Sequence, residues 1–251
     1  VLMSRLQNKY ITIHPIKGGF TNTGDIITAG LNSTGVILQS IAGGGLYTTS
    51  AGGNAISLGG SVLGNNNSAG ITFDNSGAVT TVGRNSAAVV VQSIGGGGGA
   101  VFGVADATAT AITLGGQDAT DNQADALSLT INADLSTFGT FSPAVLAQSI
   151  GGGGGYAPIA AEQGTAGSRS DLNLNAGAVQ LDLSGDVTTN AFGSDGLLLQ
   201  SIGAGGGVLG STSESLTLGA SNFANGDAAS ITINSTGTIT TTGDQSIGIT
   251  A

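Results

Sequence analysis

The chain of 251 residues has no cysteine, no tryptophan, one methionine, three prolines and few charges, only 8% of its residues being ionic. Without cysteine there is no disulfide framework, no thiol nucleophile and no thiolate metal site. The single histidine, His14, stands beside Pro15 in a segment read as surface, so no Ser, His and Asp arrangement is built on it. Basic residues number five, Arg5, Lys9, Lys17, Arg84 and Arg169, whereas all fifteen acids lie from Asp25 onward. That balance excludes nucleic acid as a partner and suits anionic membrane surfaces poorly, while leaving divalent cations and glycans open. No apolar run reaches the ~18 residues of a membrane span, and the opening VLMSRLQNKYITIHPIKG lacks the pattern of a signal peptide. The chain opens on Val1 and stops at Ala251 in mid-repeat, which leads us to expect an excerpt of a longer protein.

What is abundant is glycine, 46 residues against a usual share of ~7%, together with Ala, Ser, Thr, Asn, Ile, Val and Leu. This is the vocabulary of short strands and tight turns. It is also periodic: VILQSIAGGGL, VVVQSIGGGGG, VLAQSIGGGGG and LLLQSIGAGGG recur from Val36, Val89, Val145 and Leu197. Their anchors are Gln39, Gln92, Gln148 and Gln200, spaced by 53, 56 and 52 residues. A fixed period of this length marks stacked units, each burying its apolar face against its neighbours. Residues 18–251 form the repeat domain. Residues 1–17 do not match it, and there Ile11 and Ile13 alternate with Tyr10, Thr12 and His14 as a capping strand or one donated to a neighbour.

Within each unit, runs of three to seven residues rich in Val, Ile, Leu and Thr are bounded by Gly, Asn, Asp and Ser, and read as strands. No segment holds a helical period. The fold class is therefore all-β, a parallel β-solenoid. The span from ITFDNSG to AAVVVQSI is about 25 residues, the size of one three-sided circuit, so the spacing predicts about two coils per ~53-residue repeat. Nine to ten coils at ~4.8 Å would then make a stack of roughly 45 Å. Alternation in VVVQSI puts Val89, Val91 and Ser93 on one face and Val90, Gln92 and Ile94 on the other. One face must fill the bore, and the other needs a cover from loops or a second chain. The four glutamines occupy equivalent places and are read as a structural ladder. The pentaglycines Gly95 to Gly99 and Gly151 to Gly155 lack the Lys and Ser or Thr of a phosphate loop and are read as backbone at positive φ or in close approach.

Aliphatics followed by QSIGGGGG, preceded by NSGAVTTVG or INSTGTITTTG, resemble the repeats in passenger regions of large bacterial autotransporters and related secreted β-helix adhesins. The resemblance covers about residues 18–251. It implies a right-handed β-helix, exported through the outer membrane and displayed extracellularly or on the bacterial cell surface.

Hydrolases and lyases on such stacks use carboxylate, Arg, Lys or Ca²⁺ clusters, and Arg and Lys are nearly absent here. No catalytic residue and no cofactor is assigned, and the chain is read as a non-enzyme. The densest acidic group, Asp118, Asp121 and Asp125, is the weak Ca²⁺ candidate, its spacing matching neither an EF-hand nor a nonapeptide repeat. Thr80 and Thr81, Thr188 and Thr189, and Thr240 to Thr242 suggest a hydroxyl array of ice-binding type, too sparse at one row per two coils. The expected function is that of a stiff rod segment of a secreted or surface-displayed adhesin or fibre. It would act through homotypic self-association or contact with a host or surface glycan or protein. The alternatives are a filament subunit that donates residues 1–17 and a glycan-active β-helix enzyme.

Overall fold

The computed structural model describes residues 18–50, 55–59, 67–103, 109–116, 121–158, 161–167, 173–210, 215–219 and 225–251. The N-terminal segment 1–17 and Asp118 lie outside the described residues. Within them every regular element is a strand. The first turn holds β1 (Gly18–Asn22), β2 (Ile26–Thr28), β3 (Val36–Ile41), β4 (Gly45–Ser50) and β5 (Ile56–Leu58). The second holds β6 (Ile71–Asn75), β7 (Val79–Thr81), β8 (Val89–Ile94), β9 (Gly98–Gly103) and β10 (Ala109–Leu114). The third holds β11 (Leu127–Ile131), β12 (Leu135–Thr137), β13 (Val145–Ile150), β14 (Gly154–Ala157) and β15 (Ala161–Ala166). The fourth holds β16 (Val179–Leu183), β17 (Val187–Thr189), β18 (Leu197–Ile202), β19 (Gly206–Leu209) and β20 (Ser215–Leu218). A fifth adds β21 (Ile231–Ser235), β22 (Ile239–Thr241) and β23 (Ile249–Thr250).

Each strand pairs in parallel with its equivalent one repeat away, giving five sheets, which we call A to E in the order the chain visits them. Sheet A runs β1-β6-β11-β16-β21 and sheet C runs β3-β8-β13-β18-β23. The protein is thus a parallel β-solenoid, but with one turn per repeat and not two. Ile71 pairs with Leu127, and Leu127 with Val179, with no strand between them. Five levels at ~4.8 Å span only about 19 Å from first strand to last.

The 25-residue circuit inferred from the sequence does exist, as three sides of a prism that does not close into a coil. Alternation in β6 sends Ile71, Phe73 and Asn75 inward and Thr72 and Asp74 outward. Sheets A, B and C meet around a core that includes Phe73, Leu129, Leu181, Val79, Leu135, Val89, Val91 and Leu199. Where another coil would start, the chain reverses through the glycine run and lays sheet D on the outside of sheet C. There Ile37, Val90, Leu146 and Leu198 pack against Phe102 and Tyr156. Sheet E then covers the far face of D, burying Val101 and Ala157 against Ile112, Leu114 and Ala166. The apolar outer face of VVVQSI is therefore covered by its own chain. Burial of each such side chain contributes ~1.5–3 kcal/mol, so all six residues of β8 and β13 being buried explains why this segment varies least between repeats.

Candidate functional site

The four glutamines form a continuous hydrogen-bonded column between sheets C and D. Gln39 Nε2 donates to Gln92 Oε1 at 2.6 Å, Gln92 Nε2 to Gln148 Oε1 at 2.6 Å, and Gln148 Nε2 to Gln200 Oε1 at 2.7 Å. Gln92 and Gln148 are fully buried, and their Nε2 groups also point at the carbonyls of Gly99 and Gly155, at 3.4 and 3.3 Å. An in-register strand repeats an amide each level, so donor meets acceptor at the spacing of the sheet itself.

The serine that follows each glutamine faces the prism and ties its corner. Ser93 Oγ accepts from the Asp125 N–H at 3.0 Å and donates to the Ala69 carbonyl at 3.2 Å. Ser149 Oγ does the same with the Gly177 N–H and the Asp125 carbonyl, at 2.7 and 3.0 Å. The glycine run makes the reversal possible. Gly96 and Gly97 sit at φ of 77° and 85°, and a Cβ on Gly98 would lie 1.9 Å from the Gly154 carbonyl oxygen. Both properties read from the pentaglycines, positive φ and close backbone approach, meet in one place.

Of the Ca²⁺ candidate, Asp121 and Asp125 are described, and both carboxylates are engaged with neighbouring turns. Asp121 Oδ1 accepts from Asn173 Nδ2 at 2.9 Å, and Asp125 Oδ2 accepts from the Gly70 N–H at 3.1 Å. Among the described residues no three His, Cys, Asp or Glu side chains gather as a metal set. Other aspartates cap the next turn in the same manner. The Thr238 N–H and hydroxyl both donate to Asp186 Oδ1 and hold its carboxyl below the usual range. Asn234 and Gln180 do so for Asp182. Asp195 is the exception: partial burial raises its pKa although the Ile247 N–H donates to it at 2.8 Å. The Tyr156 hydroxyl is pushed far up, first by burial and then by the Asp195 charge.

The threonine pairs divide between inside and outside. Thr137 and Thr189 are fully buried and donate to the carbonyls of Ser142 and Ser194, at 2.7 and 2.6 Å, closing the corner between sheets B and C. Thr80, Ser136, Thr188 and Thr240 face outward, as a single column.

That same corner carries a feature the repeat comparison did not single out. Its tightest residue has φ between 53° and 63° at every level, in Asn32, Asn85, Phe141, Gly193 and Gln245. Phe141 is the anomaly, because a bulky side chain in the left-handed region costs roughly 1–2 kcal/mol. Its ring meets Phe192 edge-on, with centroids 5.5 Å apart, and the Arg84 guanidinium lies over it at 5.4 Å. Phe138 and Phe192 are 49% and 40% exposed beside it. The signal in the sequence was the placing of three of the seven phenylalanines within this stretch, at different offsets in successive repeats.

No protein-family model, no curated protein and no solved structure matches the chain.

Proposed function

We propose that the chain is a structural and interaction protein, a stiff β-solenoid segment of a secreted or surface-displayed bacterial adhesin or extracellular fibre. The observation that carries this reading is the axial continuity of all five sheets: one strand per sheet is added by each repeat, so length grows with repeat number while the cross-section stays constant. The Gln column, the serine ties and the glycine seam all run along that axis, and each spends its polar groups on the next turn. Such a stack resists bending and holds a lateral face or a tip at a distance from its anchor. The resemblance of the QSIGGGGG repeats to autotransporter passengers supports an extracellular setting, and the function so assigned is mechanical and adhesive.

The test is electron microscopy of the purified protein over a dilution series, joined to surface proteolysis of cells that produce it. Because one chain's stack is only about 19 Å tall, the proposal expects particles of constant width that join end to end and lengthen with concentration, and a chain open to external protease. Compact particles of no fixed axis, or complete protection inside intact cells, would overturn it.

A further inference from the structure

The exposed large apolar side chains fall in two places only among the described residues. Leu216, Leu218, Ile247 and Ile249 lie on the last strands and the last corner of the stack, whereas Ile27, Leu31, Val82, Phe138 and Phe192 lie on one flank, along sheet B and its corner with sheet C. The flank residues line up across turns. Val82 and Phe138 occupy the same place in successive levels, as their N–H groups donate to the Thr28 and Thr81 carbonyls in turn. Leu31, Arg84, Thr140 and Phe192 likewise follow one another, through the bonds from the N–H groups of Asn32, Asn85 and Phe141. The strip thus crosses four levels, or about 14 Å at ~4.8 Å per level. The outward positions of the adjoining sheet A are Thr, Ser, Gln, Asp and Asn.

From this strip we infer a binding site for a neutral saccharide chain lying along the stack axis, with Phe138 and Phe192 as stacking platforms, and the Thr140 hydroxyl at the level of Phe138 and the Arg84 guanidinium one level below as hydrogen-bonding groups. Three observations select that occupant. A strip of five side chains is small against the ~800 Å² per partner that a stable second copy buries, and a second copy would bring another net charge of −10 alongside. An extended peptide adds to sheets through free backbone groups, but the N–H groups of Val82, Asn85, Phe138 and Phe141 are all bonded to the adjacent turn. What remains is recognition by side chains alone: flat apolar rings, one planar guanidinium and a hydroxyl. The net charge of −10 further disfavours a polyanion. Phe141 supports the platform from below, and its φ of 53° is backbone strain held at a site of contact. This inference rests on the extracellular reading for its setting and adds the face and the ligand class.

The test is calorimetric titration of the protein with cellohexaose, chitohexaose and maltohexaose, repeated with Phe138→Ala/Phe192→Ala and with Thr72→Ala on the outer face of sheet A. Small-angle scattering of the same samples reads end-to-end assembly into rods separately, and circular dichroism reads the fold. We expect at least one hexasaccharide to bind, a tenfold or greater weakening in the double variant, and no change in Thr72→Ala. Failure of all three sugars to bind, or binding untouched by the double variant, overturns the inference and leaves the rod reading to the scattering data. Loss in the double variant of a concentration-dependent dimer, in place of sugar binding, would make a second copy the occupant and overturn it as well.

Discussion

Gln92 donates its side-chain N–H to Gln148 Oε1 across 56 residues of chain and 2.6 Å of space. Each amide in the column satisfies the one before it, so a single replacement orphans groups on both sides. Gln92→Leu leaves Gln39 Nε2 and Gln148 Oε1 without their partners in a buried layer. At ~1–3 kcal/mol for each unsatisfied group, we expect a loss of about 2–6 kcal/mol, read as a lowered urea midpoint. Replacing all four glutamines by leucine is expected to cost less than the sum of the single changes, because no amide is then left unpaired.

The glycine seam gives a sharper contrast. A Cβ on Gly154 would sit 1.8 Å from the Gly206 carbonyl oxygen, at φ of 142°, whereas a Cβ on Gly19 meets nothing within 4 Å. Gly154→Ala is expected to destabilise by more than about 3 kcal/mol, or to prevent folding. Gly19→Ala is expected to be neutral. Thermal denaturation of the two variants side by side checks the pair.

At the corner between sheets B and C, Asn serves at positions 32 and 85 where Phe141 stands in the third turn. Asparagine tolerates the left-handed region through local hydrogen bonding. Phe141→Asn is therefore expected to be more stable than Phe141→Ala by about 1 kcal/mol, since both lose the ring and only one accommodates the backbone.

Asp182 and Asp186 have lowered pKa values in the folded chain, for which the ordinary value is 3.8. Their contribution is present above that value and lost as pH falls through the folded values. Acid is thus expected to weaken the stack, and Asp182→Asn/Asp186→Asn to flatten that decline. Asp195 has the opposite sign: its pKa is raised by burial. Asp195→Asn keeps the acceptor for the Ile247 N–H and removes the charge. It is expected to raise the melting temperature at pH 7 and to give no gain at pH 3, in paired melting curves at the two pH values.

Strands, parallel stacking and the glutamine positions were legible in the sequence because they depend on local alternation and on the repeat itself. The number of turns per repeat was not. Ile71 to Ile94 really do make a three-sided circuit, and periodicity alone does not say whether the chain then begins a second coil or turns back. The decisive clue lay in β8, whose two faces are both apolar: a bore accounts for Val89 and Val91, and Val90 requires another layer. Gly96 and Gly97 supplied the reversal that brings it. The aromatic corner escaped for a different reason. Phe138 and Phe141 share a repeat, whereas Phe192 stands at a different offset in the next one and joins them only when the levels are stacked.

One distance tests the central claim, that each repeat is a single turn. Gly19, Thr72, Ser128, Gln180 and Thr232 lie in register on sheet A, and the chain's lack of cysteine allows labels to be placed at will. Spin labels on Gly19→Cys and Thr232→Cys are separated by four rungs, so electron resonance is expected to give a distance near 20 Å, from ~4.8 Å per rung plus the label arms. A distance near ~38 Å, the eight rungs of a stack with two coils per repeat, would contradict the account.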